Sequence, residues 1–314
     1  MIESRVLVTG GAGFIGATLV DELIARGHRV GVLDDLSTGR PENLGAAIGA
    51  GATLHRADVT DPAVVARAFA AVRPDVVFHL AAQIDVRRAV SDPGHDAHVN
   101  VTGTAIVLEQ AVRAGVQRFV LASTGGAIYG DADEVPTPES APSRPLSPYA
   151  VSKAAAERYV EYYARTRGLS AFIARLSNVY GPRQDPRGEA GVIALFCDAA
   201  VEGRAPIVFG DGGQTRDFVY VGDVVEAFAT AGESRVDGFA NVASGTETTV
   251  LELTRALGLT PAWAPERPGE VRRSCLAPNL AAELLGWHPR TTLADGLAAT
   301  LTSMARATRR ARGA

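Results

Sequence analysis

Thr9-Gly10-Gly11-Ala12-Gly13-Phe14-Ile15-Gly16 is the stretch on which the fold turns. The apolar run Arg5–Thr9 before it predicts a strand, and the apolar periodicity of Phe14–Arg26 after it predicts a helix. Glycine then has three jobs: Gly10 makes the tight turn, Gly13 lets a pyrophosphate approach the backbone, and Gly16 lets the helix pack against the strand. The helix N-terminus offers its N–H groups to the anion. A glycine pattern alone is weak, but the next strand, Arg29–Asp34, closes on an acid about 20 residues further on. Asp34 would accept from ribose hydroxyls and repel a 2′-phosphate, which favours NAD over NADP. Asp35, Thr38 and Gly39 follow in the same turn, and Asp58-Val59 falls where an adenine edge would lie. Arg40, a nearby base that could serve a phosphate, lies beyond the turn.

Outward from this unit the first half keeps one rhythm. Strands are predicted at Thr53–Ala57, Val76–Leu80, Arg118–Ala122 and Ser170–Arg175, and helices at Pro62–Val72, His95–Ala114 and Pro148–Arg167. Nearly continuous apolar strands separated by helices imply βαβ units and a parallel sheet covered on both faces. The expected fold is α/β, a Rossmann-type doubly wound parallel sheet. After about Arg175 glycine and proline cluster at Gly181-Pro182, Asp185-Pro186, Gly210–Gly213 and Pro265–Gly269. That suits a smaller, irregular α/β lobe. The expected division is 1–175 and 176–314, with the segment about 215–238 returning to the first part.

Composition narrows the function classes. The chain has 314 residues, 46% hydrophobic and 21% charged, with net charge -4, which gives no electrostatic case for nucleic acid. No apolar run approaches the roughly 20 residues that span a bilayer. Met1–Arg5 leads straight into a strand without a signal-like segment, so a cytoplasmic enzyme is expected. Cys197 and Cys275 lack metal-ligand spacing and read as structural thiols, and no metal is expected. The arginines near the C-terminus, 306, 309, 310 and 312, read as the solvated end of a last helix.

Of 31 basic residues only one is lysine, Lys153, so arginine fills the other thirty places. Arginine cannot replace a compact, rotatable ammonium. Lys153 lies in Ser147-Pro148-Tyr149-Ala150-Val151-Ser152-Lys153, where Pro148 suits a helix's first turn and Tyr149 and Lys153 share one face. A free phenol, with a pKa of about 10, is a poor base at neutral pH. A neighbouring ammonium is expected to favour the phenolate, making the pair a proton-transfer device.

These stretches together resemble the extended short-chain dehydrogenase/reductase family, in its NAD-dependent epimerase/dehydratase branch. The resemblance also rests on His79-Leu80-Ala81-Ala82-Gln83, Asn100, Ser123-Thr124 before Tyr129-Gly130, Asn178-Val179-Tyr180-Gly181-Pro182 and Arg216-Asp217-Phe218-Val219-Tyr220-Val221. It spans essentially the whole chain and is greatest to bacterial UDP-glucose 4-epimerases of an actinobacterial type. It implies that Leu80, Ala81, Ala82 and Gln83 line the dinucleotide groove and that Asn100 supports the lysine. Ser123 would lie beside the nicotinamide, Tyr149 would be the acid/base, and Lys153 would activate it and hold the nicotinamide ribose. Asn178 and Arg216 would hold the substrate diphosphate, Arg267 and Glu270 the second phosphate and the uridine ribose. Phe209 would flank the uracil, and Val192 would line the same lobe. One departure stands out: Gly125 falls where the family usually has Ser or Thr, so the bond to the sugar 4-oxygen is assigned to Thr124.

The implied activity is C4 epimerisation of a UDP-hexose through a 4-keto intermediate with retained NAD. Ser274, four after Glu270, holds the place where bulk gates the hexose 2-substituent, and a small residue there implies room for an N-acetyl group. The alternatives are a UDP-glucuronate epimerase or decarboxylase, a dTDP-sugar epimerase, and a non-catalytic NAD-binding sensor. A 4,6-dehydratase would need Asp-Glu where Gly125-Gly126 stand. The helices at His95–Ala114 and Pro148–Arg167 resemble those that pair in family homodimers.

Overall fold

Two helix starts show how the local sequence sets the scaffold. Asp61 accepts from the N–H groups of Ala63 and Val64, and Pro62 opens the helix behind it. Ser147 caps Ala150 N ahead of Pro148, and the helix ends twenty residues later at Gly168, whose φ of 67° closes the last turn. The computed structural model describes residues 3–187, 191–266 and 271–313, with side chains described through 309.

In chain order the first part contains β1 (Arg5–Thr9), α1 (Phe14–Ala25), β2 (Arg29–Asp34), α2 (Gly45–Gly49), β3 (Thr53–Arg56), α3 (Pro62–Val72), β4 (Val76–His79), α4 (Val86–Ser91), α5 (Pro93–Ala97), α6 (Thr104–Arg113), β5 (Arg118–Thr124), α7 (Gly125–Ile128), α8 (Pro148–Arg167) and β6 (Ala171–Leu176). Then come β7 (Asn178–Tyr180), α9 (Val192–Glu202), β8 (Ile207–Phe209), β9 (Thr215–Tyr220), α10 (Val221–Glu233), β10 (Gly238–Val242), β11 (Glu247–Thr249), α11 (Val250–Ala256), β12 (Ala262–Ala264), α12 (Asn279–Leu285) and α13 (Leu293–Gly313).

The main sheet runs β10-β6-β5-β4-β1-β2-β3, and every pairing in it is parallel. Its strand order reverses between β1 and β4, and the crevice at the carboxyl ends there is where open α/β sheets bind ligands. One face is covered by a core that includes Leu19, Val20, Leu23, Phe78, Phe172, Val224 and Phe228, the other by Val65, Phe69, Val107, Leu108, Val160 and Tyr163. This two-sided burial is why the strands read as apolar throughout. Residues past 176 also feed the main sheet: β10 adds its edge strand, α10 packs on α1, and Ala281 and Trp287 join its core. A separate core of Tyr180, Ile193, Phe196, Cys197, Val208, Phe218 and Leu253 underlies the three-stranded sheet β11-β9-β7.

The helix expected at His95–Ala114 is different. It starts at Pro93 behind an Asp92 cap, widens into a π-turn over His98–Gly103, and resumes as α6. The cause is local. Gly103 lies against Val59, where an added Cβ would stand 2.8 Å from Val59 Cγ2, and Asn100 turns its amide inward to three partners. A wider turn reconciles both demands, and such turns recur at functional sites. On the outside, Val151, Tyr159 and Tyr162 of α8 and Val90 of α4 are exposed apolar residues. No helix among the described residues is long and apolar enough to cross a membrane.

Candidate active site

The glycine turn is built around contacts that exclude side chains. Gly10 has φ of 69°, and a Cβ there would lie 2.7 Å from Ala81 N; one on Gly16 would lie 2.1 Å from the Gly10 carbonyl oxygen. Thus the β1 turn, the start of α1 and the Leu80–Gln83 segment after β4 meet backbone to backbone. Gly13 caps α1 with no side-chain bond, and no acid occupies the first turn, which leaves that end suited to an anion. Asp34 is 6% exposed and accepts from Ala12 N and Leu36 N, both at 2.9 Å. Burial raises its proton affinity, and those two bonds oppose the rise. Gly39 lies so close to Asp34 that a Cβ would meet Oδ1 at 2.6 Å. A carboxylate at this place accepts from a ribose diol and repels a 2′-phosphate, so these residues fit NAD.

The surrounding residues take definite places. Asp35 accepts from Ser37 N and Oγ, and Asp58 from Thr60 N and Oγ1, so both shape their own turns. Thr38 is exposed beside the site, and Val59 is buried against Gly103. Arg40, weighed above as a phosphate ligand, is paired with Asp185, and Arg183 bonds Asp21 Oδ2 of α1 at 2.5 Å. Two ion pairs therefore tie the 181–187 segment to the glycine-turn unit.

Along α8, Tyr149, Lys153 and Glu157 stand one turn apart and face β5. The Tyr149 phenol hydrogen-bonds the Thr124 hydroxyl. Lys153 Nζ donates to Ala122 O at 2.6 Å. Ser123 Oγ donates to Glu157 Oε1 at 2.5 Å. Glu157 in turn accepts from Arg175 Nη2 at 2.7 Å, and Arg175 donates to the Tyr129 hydroxyl at 2.9 Å. Ser123, expected at the nicotinamide, thus has its hydroxyl committed to this buried network.

Burial dominates the electrostatics of the pair. The phenol of Tyr149 is pushed up to about 12 by burial; the Thr124 bond lowers it and the Asp96 charge raises it further. Lys153 Nζ is held by the Ala122 carbonyl, and burial outweighs the other influences on the phenol. Lys153 is brought down to about 8 by burial, with Glu157 and Asp96 opposing. At neutral pH the pair is therefore a neutral phenol and an ammonium that holds its proton less firmly than an exposed lysine. His79, bonded to Thr9 Oγ1 at 2.7 Å and Thr104 Oγ1 at 3.0 Å, is held down to about 3 by burial and is neutral.

The Gly125 departure has a packing cause. A Cβ at Gly125 would stand 2.4 Å from Leu276 Cδ1, so Leu276 fills the space a serine would use, and the hydroxyl that meets Tyr149 is that of Thr124. Asn178 Oδ1 lies near Gly126, which brings β7 to the same turn. Asn100 donates to Gln83 O, Asp96 Oδ1 and Ser152 Oγ, so it braces the groove against α8 through Ser152 and not through the lysine itself.

In the second lobe β7 and β9 are neighbours, which sets Asn178 and Arg216 in one sheet. Arg216 Nη1 donates to the carbonyls of Thr215 and Val271 at 2.7 and 2.8 Å. Phe209 ends β8, Val192 begins α9, and Ser274 is partly buried next to Arg273, which is paired to Glu247. Arg267 and Glu270 lie outside the described residues. Sequence reading missed Asp96, Glu157 and Arg175. Glu157, at i+4 from Lys153, carried a signal in its helical spacing.

Comparison with known proteins agrees with this arrangement. A "UDP-glucose 4-epimerase" of Mycolicibacterium smegmatis is 48% identical over 305 residues, covering 95% of this chain and 97% of the relative. The crystal structure of a Thermotoga maritima UDP-glucose 4-epimerase with UDP-glucose superposes with a TM-score of 0.92 at 43% identity, covering 96% of this chain and 99% of that one. A Thermus thermophilus UDP-glucose 4-epimerase in complex with NAD gives 0.88 at 44% identity, covering 95% and 98%. The family model for NAD dependent epimerase/dehydratases matches residues 6–243. The chain belongs to the NAD-dependent epimerase/dehydratase family.

Proposed function

We propose that the chain interconverts UDP-glucose and UDP-galactose at C4. The observation that carries this is the Tyr149 phenol bonded to Thr124 above Lys153, beside a glycine turn shaped for NAD. NAD supplies hydride acceptance and return at the sugar carbon. The chain's part is proton transfer and positioning. Tyr149 takes the 4-hydroxyl proton and later gives it back, and Thr124 orients the phenol and the 4-oxygen. Lys153, as ammonium, favours the phenolate of Tyr149. Asn178 and Arg216 hold the diphosphate while the hexose turns over, and Phe209 and Val192 line the base and sugar walls. A cytoplasmic setting suits the two buried thiols, Cys197 and Cys275. The exposed stripe of Val151, Tyr159 and Tyr162 suits a homodimer through α8. Sedimentation at the monomer mass would remove the dimer from this reading.

Purified protein given UDP-galactose without added NAD is expected to form UDP-glucose, followed by proton NMR of the anomeric signals. No conversion, even with NAD supplied, overturns the proposal. Ser274 extends it to substrate range, since a small side chain leaves space at the hexose 2-position. Ser274→Tyr is expected to abolish turnover of UDP-N-acetylglucosamine and spare UDP-galactose. Equal loss of both, measured in the same assay, would rule out the gate.

A further inference from the structure

A buried acid on α5 has no part in the reading so far. Asp96 is 1% exposed. One of its oxygens accepts from Gln83 Nε2 at 2.8 Å and from Asn100 Nδ2 at 3.2 Å. The other is buried and has no hydrogen-bond partner among the described residues. A buried carboxylate is costly, and one left half-partnered more so, so packing alone gives no reason to keep it. Its neighbours supply a reason. α5 packs against α8. Asn100, one turn beyond Asp96, also binds Ser152 Oγ, which itself donates to Tyr149 O. Gln83 belongs to the segment after β4 that meets the glycine turn, and its N–H is held by Asn100 Oδ1 at 2.8 Å.

We propose that Asp96 is a positioning residue of the proton-transfer site: one oxygen clamps Gln83 and Asn100 beneath the dinucleotide groove, and the carboxylate sets the electrostatic surroundings of Tyr149 and Lys153 on α8. This rests on the reading of Tyr149 and Lys153 as the proton-transfer pair. The charges acting on Lys153 are Asp96 from α5 and Glu157 from α8, with the neutral His79 of β4 close by; those acting on Tyr149 are Asp96 and the Thr124 hydroxyl dipole from β5. Asp96 raises the proton affinity of both members of the pair. It therefore keeps a buried amine charged near neutral pH, and it restrains the phenol from ionising until the site is occupied. Removing its charge lowers both groups, so both titrations move in the same direction, towards acid.

Asp96→Asn tests this in the NAD-loaded protein, because it removes the charge while keeping the oxygen used by Gln83 and Asn100. The ultraviolet phenolate band of Tyr149, taken as the difference from a Tyr149→Phe protein, is expected to titrate about one pH unit lower than in wild type. The alkaline limb of turnover, where Lys153 loses its proton, is expected to move down by a similar amount. At pH 8 that amounts to roughly a fivefold loss, while turnover on the acid side rises. Asp96→Glu, which keeps the charge, is expected to hold both titrations at their wild-type positions. If Asp96→Asn is not recovered folded, Asp96→Ser carries the same expectation. A neutral variant slower at every pH, with its titrations unmoved, overturns the proposal and leaves Asp96 a purely structural residue. The ultraviolet titration needs no turnover, so failure of wild type to epimerise would count against the functional reading alone.

Discussion

Tyr149→Phe is expected to lose epimerase turnover by about 10²–10⁴-fold while keeping its fold and its bound NAD. The substitution removes a single oxygen. The ring stays in place on the first turn of α8, where Ser147 caps the helix and Pro148 starts it, so no packing change accompanies the loss. What disappears is the hydroxyl bonded to Thr124, the group that would exchange a proton with the sugar 4-hydroxyl. Proton NMR of UDP-galactose conversion, with retained NAD measured after denaturation, checks both halves of the expectation. Turnover at the ordinary rate would remove Tyr149 from the mechanism.

Glu157→Leu is expected to destabilise the protein by about 3–5 kcal/mol, because it strands a buried guanidinium. Arg175 is 5% exposed and Glu157 2%, and they meet through three hydrogen bonds of 2.7 to 3.2 Å. Arg175 also lies 4.1 Å from the Phe239 ring centroid and 5.3 Å from that of Tyr129, so it cannot swing out to water without dismantling that packing. Ser123 loses its acceptor at the same time. Urea unfolding, with the midpoint shifted and the slope unchanged, is the measurement. Replacing both members by leucine is expected to recover most of the loss, since a buried pair can be exchanged for apolar contacts at little net cost. A single variant within about 1 kcal/mol of wild type would mean that water reaches Arg175.

The parts legible in the sequence were local ones. The glycine turn and Asp34 are separated by one helix, and Tyr149 and Lys153 by one helical turn, so spacing alone ties each pair to one chemistry. Leu276 filling the space beside Gly125 could not be read, because 151 positions separate the two and nothing in either neighbourhood names the other. Asp96 looks like an ordinary surface acid and Glu157 shows only its i+4 spacing from Lys153; the packing of α8 on β5 and α5 turns both inward. The same packing adds what spacing does not show, because burial raises the proton affinity of the Tyr149 phenol. The π-turn at His98–Gly103 was hidden for another reason. Its apolar residues keep a helical pattern, and one widened turn shifts the pattern too little to be noticed.

The lysine count has a consequence for how this protein can be controlled. Lys153 is the only lysine in the sequence and is 5% exposed, with its nitrogen directed at Ala122. The folded surface therefore carries no lysine side chain for acetylation or ubiquitin attachment. Any acyl group that did reach Lys153 would remove the charge beside Tyr149. With Lys153 in its proposed role, modification of a lysine side chain and inactivation would be the same event.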